Sequence, residues 1–175
     1  MTLVDCTLAR HGAAILDILN EAILHSTALY EYTPFAPDTM VGWFQARHGH
    51  GHPVLGIEDA QGQLLGFASY GVFRARAAYK YTVEHSVYVH RDHRGQGVGE
   101  RLLRALIERA RAQQLHVLVG GLDADNAASI ALHRKLGFVP AGTITQAGFK
   151  FGRWLDLAFW QLTLDTPAHP HDDPR

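Results

Sequence analysis

Gly95, Gly97 and Gly99 stand at every second position of "HRGQGVGERLL", between a β-branched run and a helical pattern. Glycine puts no side chain between the backbone and a ligand, so amide N–H groups there can turn toward one guest. A helix starting behind them adds orphan donors and a partial positive charge. Arg94 adds a full charge at the entrance. The natural guest of such a turn is a pyrophosphate. A plain strand-to-helix turn is the poorer account, because each glycine weakens a helix start by roughly 1 kcal/mol relative to alanine. Two familiar phosphate motifs do not fit. A P-loop needs Lys-Ser or Lys-Thr after its glycines, and none follows here. The dinucleotide fingerprint needs Gly-x-Gly-x-x-Gly, whereas Glu100 and Arg101 follow the third glycine directly.

Such a turn needs a strand before it and a helix behind it, and the pattern supplies both. "YTVEHSVYVH" is a β-branched and aromatic strand. From Val98 to about Ala112, Leu102, Leu106 and Ala110 form one helical stripe, with Leu103 and Ile107 beside it. Glu100, Arg104 and Glu108 mark the exposed face at i,i+4 spacing.

Upstream, "LVDCTLA" reads as a first strand, and "HGAAILDILNEAILHS" as a helix burying Ile15, Leu19, Ala22 and Ile23. Residues 26–37 form an irregular aromatic segment. Asp38 is expected to cap a short helix with Val41 and Phe44 or Trp43 inward. "PVLGIED" and "LLGFASYGVF" form a hairpin around "AQGQ". Downstream come a buried strand, "LHVLVGGL", and a helix that starts near Asp125 or Asn126 and stops at Gly137. Strands around 138–144 and 152–162 close the chain. The order describes one mixed α/β domain over residues 1–164, not an alternating doubly wound fold. The polar, proline-rich tail 165–175 is expected to be disordered.

Composition narrows the function. The 175 residues suit one domain, and a net charge of -1 offers no footprint for a nucleic acid. No apolar run approaches the roughly 20 residues that span a bilayer, and the start lacks the pattern of a signal peptide. A cytoplasmic location is expected. Cys6 is the single cysteine and reads as a buried small hydrophobe. His48, His50 and His52 alternate with glycine in a stretch read as a solvated loop, and no metal site is expected.

"RGQGVG" after "VYV" resembles the Arg/Gln-x-x-Gly-x-Gly/Ala signature of the GNAT N-acetyltransferases. "TVEHSVYV", "GGLDADNAASIALHRKLGF" and "GFKFGRWLDLAFWQL" are similar to the phosphinothricin and methionine sulfoximine/sulfone branch of that family, over roughly residues 3–164. The resemblance implies the GNAT fold, a mixed sheet with splayed strands flanked by helices. It implies acetyl-CoA as co-substrate, a small amino-acid substrate, and a homodimer. Its cofactor contacts fall on Val87, Tyr88, Val89, Arg94, Gly95, Gln96, Gly97, Val98, Gly99, Glu100, Asn126 and Ser129; an N-cap role suits Asn126 equally.

Acetyl transfer to an amine needs a base to neutralise the ammonium and an acid for the departing thiolate. Glu84, three residues before Val87, is the expected general base; the bland reading is a surface acid at a strand end. His133 stands where many relatives of this family carry a proton-donating tyrosine. It either donates to the oxyanion or sulfur, or is a helix histidine satisfied by a neighbour. Arg74, Arg76 and Tyr79 in the basic loop, with His85 and Tyr30, are the expected substrate contacts, since arginine grips carboxylate or phosphinate in bidentate fashion. A protein acetyltransferase is the competing enzyme reading, and a non-catalytic acyl-CoA-binding module the competing non-enzyme one.

Overall fold

The computed structural model describes residues 1–173. Seven strands form one sheet: β1 (Thr2–Asp5), β2 (Val54–Glu58), β3 (Leu64–Val72), β4 (Thr82–Val89), β5 (Val117–Asp123), β6 (Val139–Lys150) and β7 (Arg153–Thr163). Their order is β1-β2-β3-β4-β5-β7-β6. Four helices flank the sheet: α1 (Leu8–His25), α2 (Thr39–His48), α3 (Val98–Ala112) and α4 (Ala127–Lys135). This is the mixed α/β arrangement expected, with the β2–β3 and β6–β7 hairpins in place.

Neighbouring strands are antiparallel except β4 and β5, which pair in parallel from Thr82–Val117 to His85–Gly120. Beyond that point the two strands part like a fork. Ser86–Val89 still pairs with β3, and Gly121–Asp123 still pairs with β7, but the two runs do not pair with each other.

Alternation along β4 divides its side chains between two cores. Val83, Val87 and Val89 face α3, whose Leu102, Leu103, Leu106 and Ala110 are fully buried against Leu118 and Phe138. Tyr88 joins the other core, where Ile15 and Leu19 of α1 and Met40 and Phe44 of α2 cover Phe67. Each such leucine is worth about 2–5 kcal/mol against truncation to alanine.

Several local expectations change. The first strand ends at Asp5, because Thr7 caps α1: its Oγ1 accepts the amide of Arg10 at 3.3 Å. Asp38 makes no side-chain cap to α2; its backbone is already helical, which turns the carboxylate away from the helix amides. Met40 and Phe44 are the inward residues of α2, and Val41 is exposed. His52 packs on the ring of Tyr70 rather than lying free in solvent.

Residues 165–173 of the polar tail contact the domain. His116 Nδ1 donates to the Thr166 carbonyl (2.8 Å), Lys80 Nζ to that of Asp173 (2.6 Å) and Tyr81 Oη to that of His171 (3.3 Å). These three anchors are main-chain carbonyls, which composition does not register; Arg111 adds an ion pair to Asp165 (3.2 Å). The rest of that expectation, residues 174–175, lies outside the described residues.

Candidate active site

A cleft of about 690 Å³ opens where β4 and β5 part. Its walls are Ser86–Val89, the glycine turn, the first turns of α4, and Ile18, Ala22, Ser26 and Ala28 on the α1 side.

The glycine turn has the conformation its sequence requires. Gly95 (φ +75°) and Gly97 (φ +79°) are left-handed, where an L side chain is strained, and a Cβ at either would meet no protein atom within 4 Å. Gly97 is also the N-cap of α3, so the turn and the positive end of that helix open together onto the cleft. Gly99 differs: its φ is not left-handed, and a Cβ there would make ordinary contact, 3.5 Å from Val89 and Leu132. Val98 lines the cleft from a buried position.

Arg94 lines the cleft, but its charge is not free as expected. It donates to Glu21 (2.6 Å) and to the Val89 carbonyl (3.3 Å), tying the turn to α1. Gln96 turns away to the Asp92 carbonyl (3.2 Å) and does not line the cleft. Glu100 is held by Lys135 (2.6 Å) and Arg104 (2.8 Å), whose hydrogen bonds keep its carboxyl below the usual range. Asn126 caps α4, its Oδ1 accepting from the Ser129 amide at 3.0 Å, and it also lines the cleft.

His85 and His133 are buried side by side. His133 Nδ1 lies 2.7 Å from the Ser129 carbonyl, which can only accept, so Nδ1 carries the proton. His133 Nε2 then accepts from His85 Nε2 at 2.9 Å. Burial pushes the pKa of His133 down and that of His85 down to about 3. Both rings are neutral near pH 7, and the single proton of His133 is committed to a carbonyl. This arrangement fits a helix histidine satisfied by a neighbour, and the same residue lines the cleft. The His85 side chain faces α4 and Phe138, away from Glu84, and His85 also lines the cleft.

Glu84 projects from the opposite face of β4. A Cβ on Gly121 would stand 3.3 Å from its Oε1, with Leu157 and Phe159 adjoining, so the carboxylate lies over β5 at the base of the fork. It is half-buried, and no hydrogen bond or ion pair to a described residue holds it. Burial raises its pKa, and the charge of Arg74 opposes that rise.

The other substrate candidates do not line the cleft. Arg74 stacks over Phe73 (4.3 Å) and donates to the Phe73 carbonyl (2.7 Å). Tyr79 packs edge-on to Phe73, and both it and Arg76 are exposed. Tyr30 lies over Gly148 of β6.

The sequence reading passed over Ser86 and the α1 wall. Ile18, Ala22 and Ser26 recur every fourth residue, a stripe ending in small side chains that could have marked a ligand-facing line.

Residues 14–138 match the acetyltransferase (GNAT) family. An L-methionine sulfoximine/L-methionine sulfone acetyltransferase of Pseudomonas paraeruginosa is 54% identical over 151 residues, covering 86% of this chain and 88% of its own. A phosphinothricin N-acetyltransferase of Streptomyces viridochromogenes is 35% identical over 158 residues, covering 90% and 85%. The structure of an acetyltransferase from Salmonella typhimurium with its cofactor acetyl-CoA superposes with a TM-score of 0.93 at 46% identity, covering 98% of each chain.

Proposed function

The chain belongs to the acetyltransferase (GNAT) family, and from that premise we propose that it acetylates the α-amino group of small glutamate-like amino acids, of the phosphinothricin and methionine sulfoximine/sulfone type. The fork carries this reading. It joins a cleft fit for an extended phosphate-bearing molecule to a half-buried, raised-pKa carboxylate on the same strand, two residues from Ser86 in the cleft wall.

Acetyl-CoA supplies the activated acetyl group. The turn from Gly95 to Gly99 and the N-terminus of α3 receive its pyrophosphate. Val87–Val89, whose outer backbone groups have no partner strand in β5, hold its pantetheine arm. Asn126 and Ser129 form the facing rim.

Glu84 accepts a proton from the substrate ammonium, directly or through a water. Its burial helps, since a base works best when its pKa approaches the working pH. Arg74 and Arg76 meet the anionic end of the substrate, and Tyr30 borders the same face.

The active form in this reading is a cytoplasmic homodimer. Val139, Ile144, Phe149, Phe151 and Trp154 are all about half exposed on the β6–β7 hairpin, apolar surface that a second copy would cover.

Thiol release from acetyl-CoA, followed with phosphinothricin, methionine sulfoximine, methionine sulfone, glutamate and a short peptide, tests the proposal. Saturable turnover is expected on the amino acids and not on the peptide. Turnover on the peptide alone would replace the reading with a protein acetyltransferase.

A further inference from the structure

Lys150 ends β6 at 4% exposure, and among the described residues no carboxylate lies within ion-pair distance of it. Its Nζ donates instead to two main-chain carbonyls, Ser26 (2.8 Å) and Leu29 (2.7 Å). Burying an ammonium is costly unless acceptors meet its donors, and hydrogen bonds from a charged donor are among the stronger ones. The carbonyls it reaches belong to the irregular stretch after α1, which has no strand partner of its own.

The same hairpin grips that stretch twice more. Tyr32 Oη donates to the Phe149 carbonyl at 2.6 Å. The ring of Tyr30 occupies the space above Gly148, where a Cβ would come within 2.7 Å of it. The segment so held matters to the site: Ser26 and Ala28 line the cleft, and Tyr30 Oη lies 3.5 Å from the Asp156 carbonyl of β7, next to Leu157 on the Glu84 side of β5.

We propose that Lys150 is a positioning residue that fixes Ser26–Tyr32 as the substrate-side wall, and so sets affinity for the amino acid without touching it. The proposal rests on the amino-acid acetylation reading above. The ammonium acts on the substrate through two carbonyls and the chain between them, so its removal displaces a wall rather than deleting a contact. Small displacements of positioning groups are felt strongly in turnover and binding.

The test compares Lys150→Met, Lys150→Arg and Tyr32→Phe with the wild type. Three readouts are taken: KM for the best amino acid of the panel, acetyl-CoA affinity by calorimetry, and amide hydrogen exchange across 26–32. In Lys150→Met the amino-acid KM is expected to rise about tenfold, while acetyl-CoA affinity, whose cleft Ser26 and Ala28 also line, falls by much less. Exchange should increase in 26–32 and stay slow in α3 and β5. Lys150→Arg should recover most of the loss, and Tyr32→Phe should move KM the same way by less.

Unchanged KM and exchange in Lys150→Met would overturn the proposal. So would an equal loss of both affinities with faster exchange throughout the sheet, which marks a purely structural lysine. If that variant does not fold, Tyr32→Phe decides, because Tyr32 is 71% exposed and its ring can stay in place; unchanged KM and exchange there would overturn the idea. If the wild type binds acetyl-CoA but acetylates none of the amino acids, the functional reading fails separately. The exchange pattern then judges Lys150 alone.

Discussion

His85 and His133 touch Nε2 to Nε2 at 2.9 Å in a buried pocket floored by Phe138. Two titratable rings thus sit where neither tolerates a charge. Their folded pKa values lie below the ordinary 6.5, that of His85 at about 3. A depressed histidine pKa contributes stability that is fully present above the unfolded value and is lost as pH falls below it. The urea midpoint is therefore expected to be flat above about pH 7 and to fall steadily from about pH 6.5 downward. A midpoint that holds level to pH 4.5 would show that the pair bears charge in the folded state.

Replacing His133 should damage the fold more than the chemistry. His133→Ala leaves a cavity and strands His85 without its acceptor, costing about 2–4 kcal/mol. It also loosens the α4 turn that carries Ser129, so acetyl-CoA affinity should drop. Turnover at saturating substrates should stay near wild type. A large fall in kcat with unchanged stability would assign a catalytic role to this histidine.

Glu84→Gln is expected to lower kcat on the order of 10²-fold, as for loss of a general base. The wild-type kcat/KM should decline as pH falls through a value above the ordinary 4.5, since burial raises this carboxyl. The variant should lose that limb. Near wild-type turnover across pH 7–9 would remove Glu84 from the mechanism.

Arg74 supplies the opposing charge at Glu84. Arg74→Ala should therefore shift the acid limb of kcat/KM to higher pH, besides raising KM for an anionic substrate. A limb that stays in place would mean solvent screens the pair completely.

Gly97→Ala tests the turn. The alanine meets no protein atom within 4 Å, so its cost in the free protein is the left-handed backbone, about 1–2 kcal/mol. The larger effect should fall on KM for acetyl-CoA, because the added methyl enters the cleft. Equal small effects on both would argue against a phosphate at this point.

The apolar hairpin surface predicts a light-scattering mass of twice the 19.4 kDa chain. Trp154→Glu, at a position 58% exposed, should yield the monomer without unfolding it. A wild-type monomer at micromolar concentration would remove the dimer from the reading.

Sequence pattern located most elements because each signal was local. The α3 stripe, the β2–β3 hairpin and the Gly137 stop each rest on a few neighbouring residues, and all hold. The cleft was legible for the same reason, since its turn and strand adjoin along the chain. What pattern did not convey depends on residues distant in sequence. His133 meets His85, 48 positions away, through its second nitrogen. Arg94 looked free until Glu21 of α1 closed on it. The grip of Lys150 on Ser26 spans 124 positions, and no periodicity records it.

The fork in the sheet bears on the protein before any ligand arrives. Past His85 and Gly120, two strands present unpaired edges to each other inside a single sheet. An open edge ordinarily invites another polypeptide to add itself. Here residues of α1, α3 and α4 line the gap between those edges. The polypeptide's own hydrogen-bond ladder is thus one rung-bearing member short at this point, and the open edges are enclosed by helices instead of by another strand.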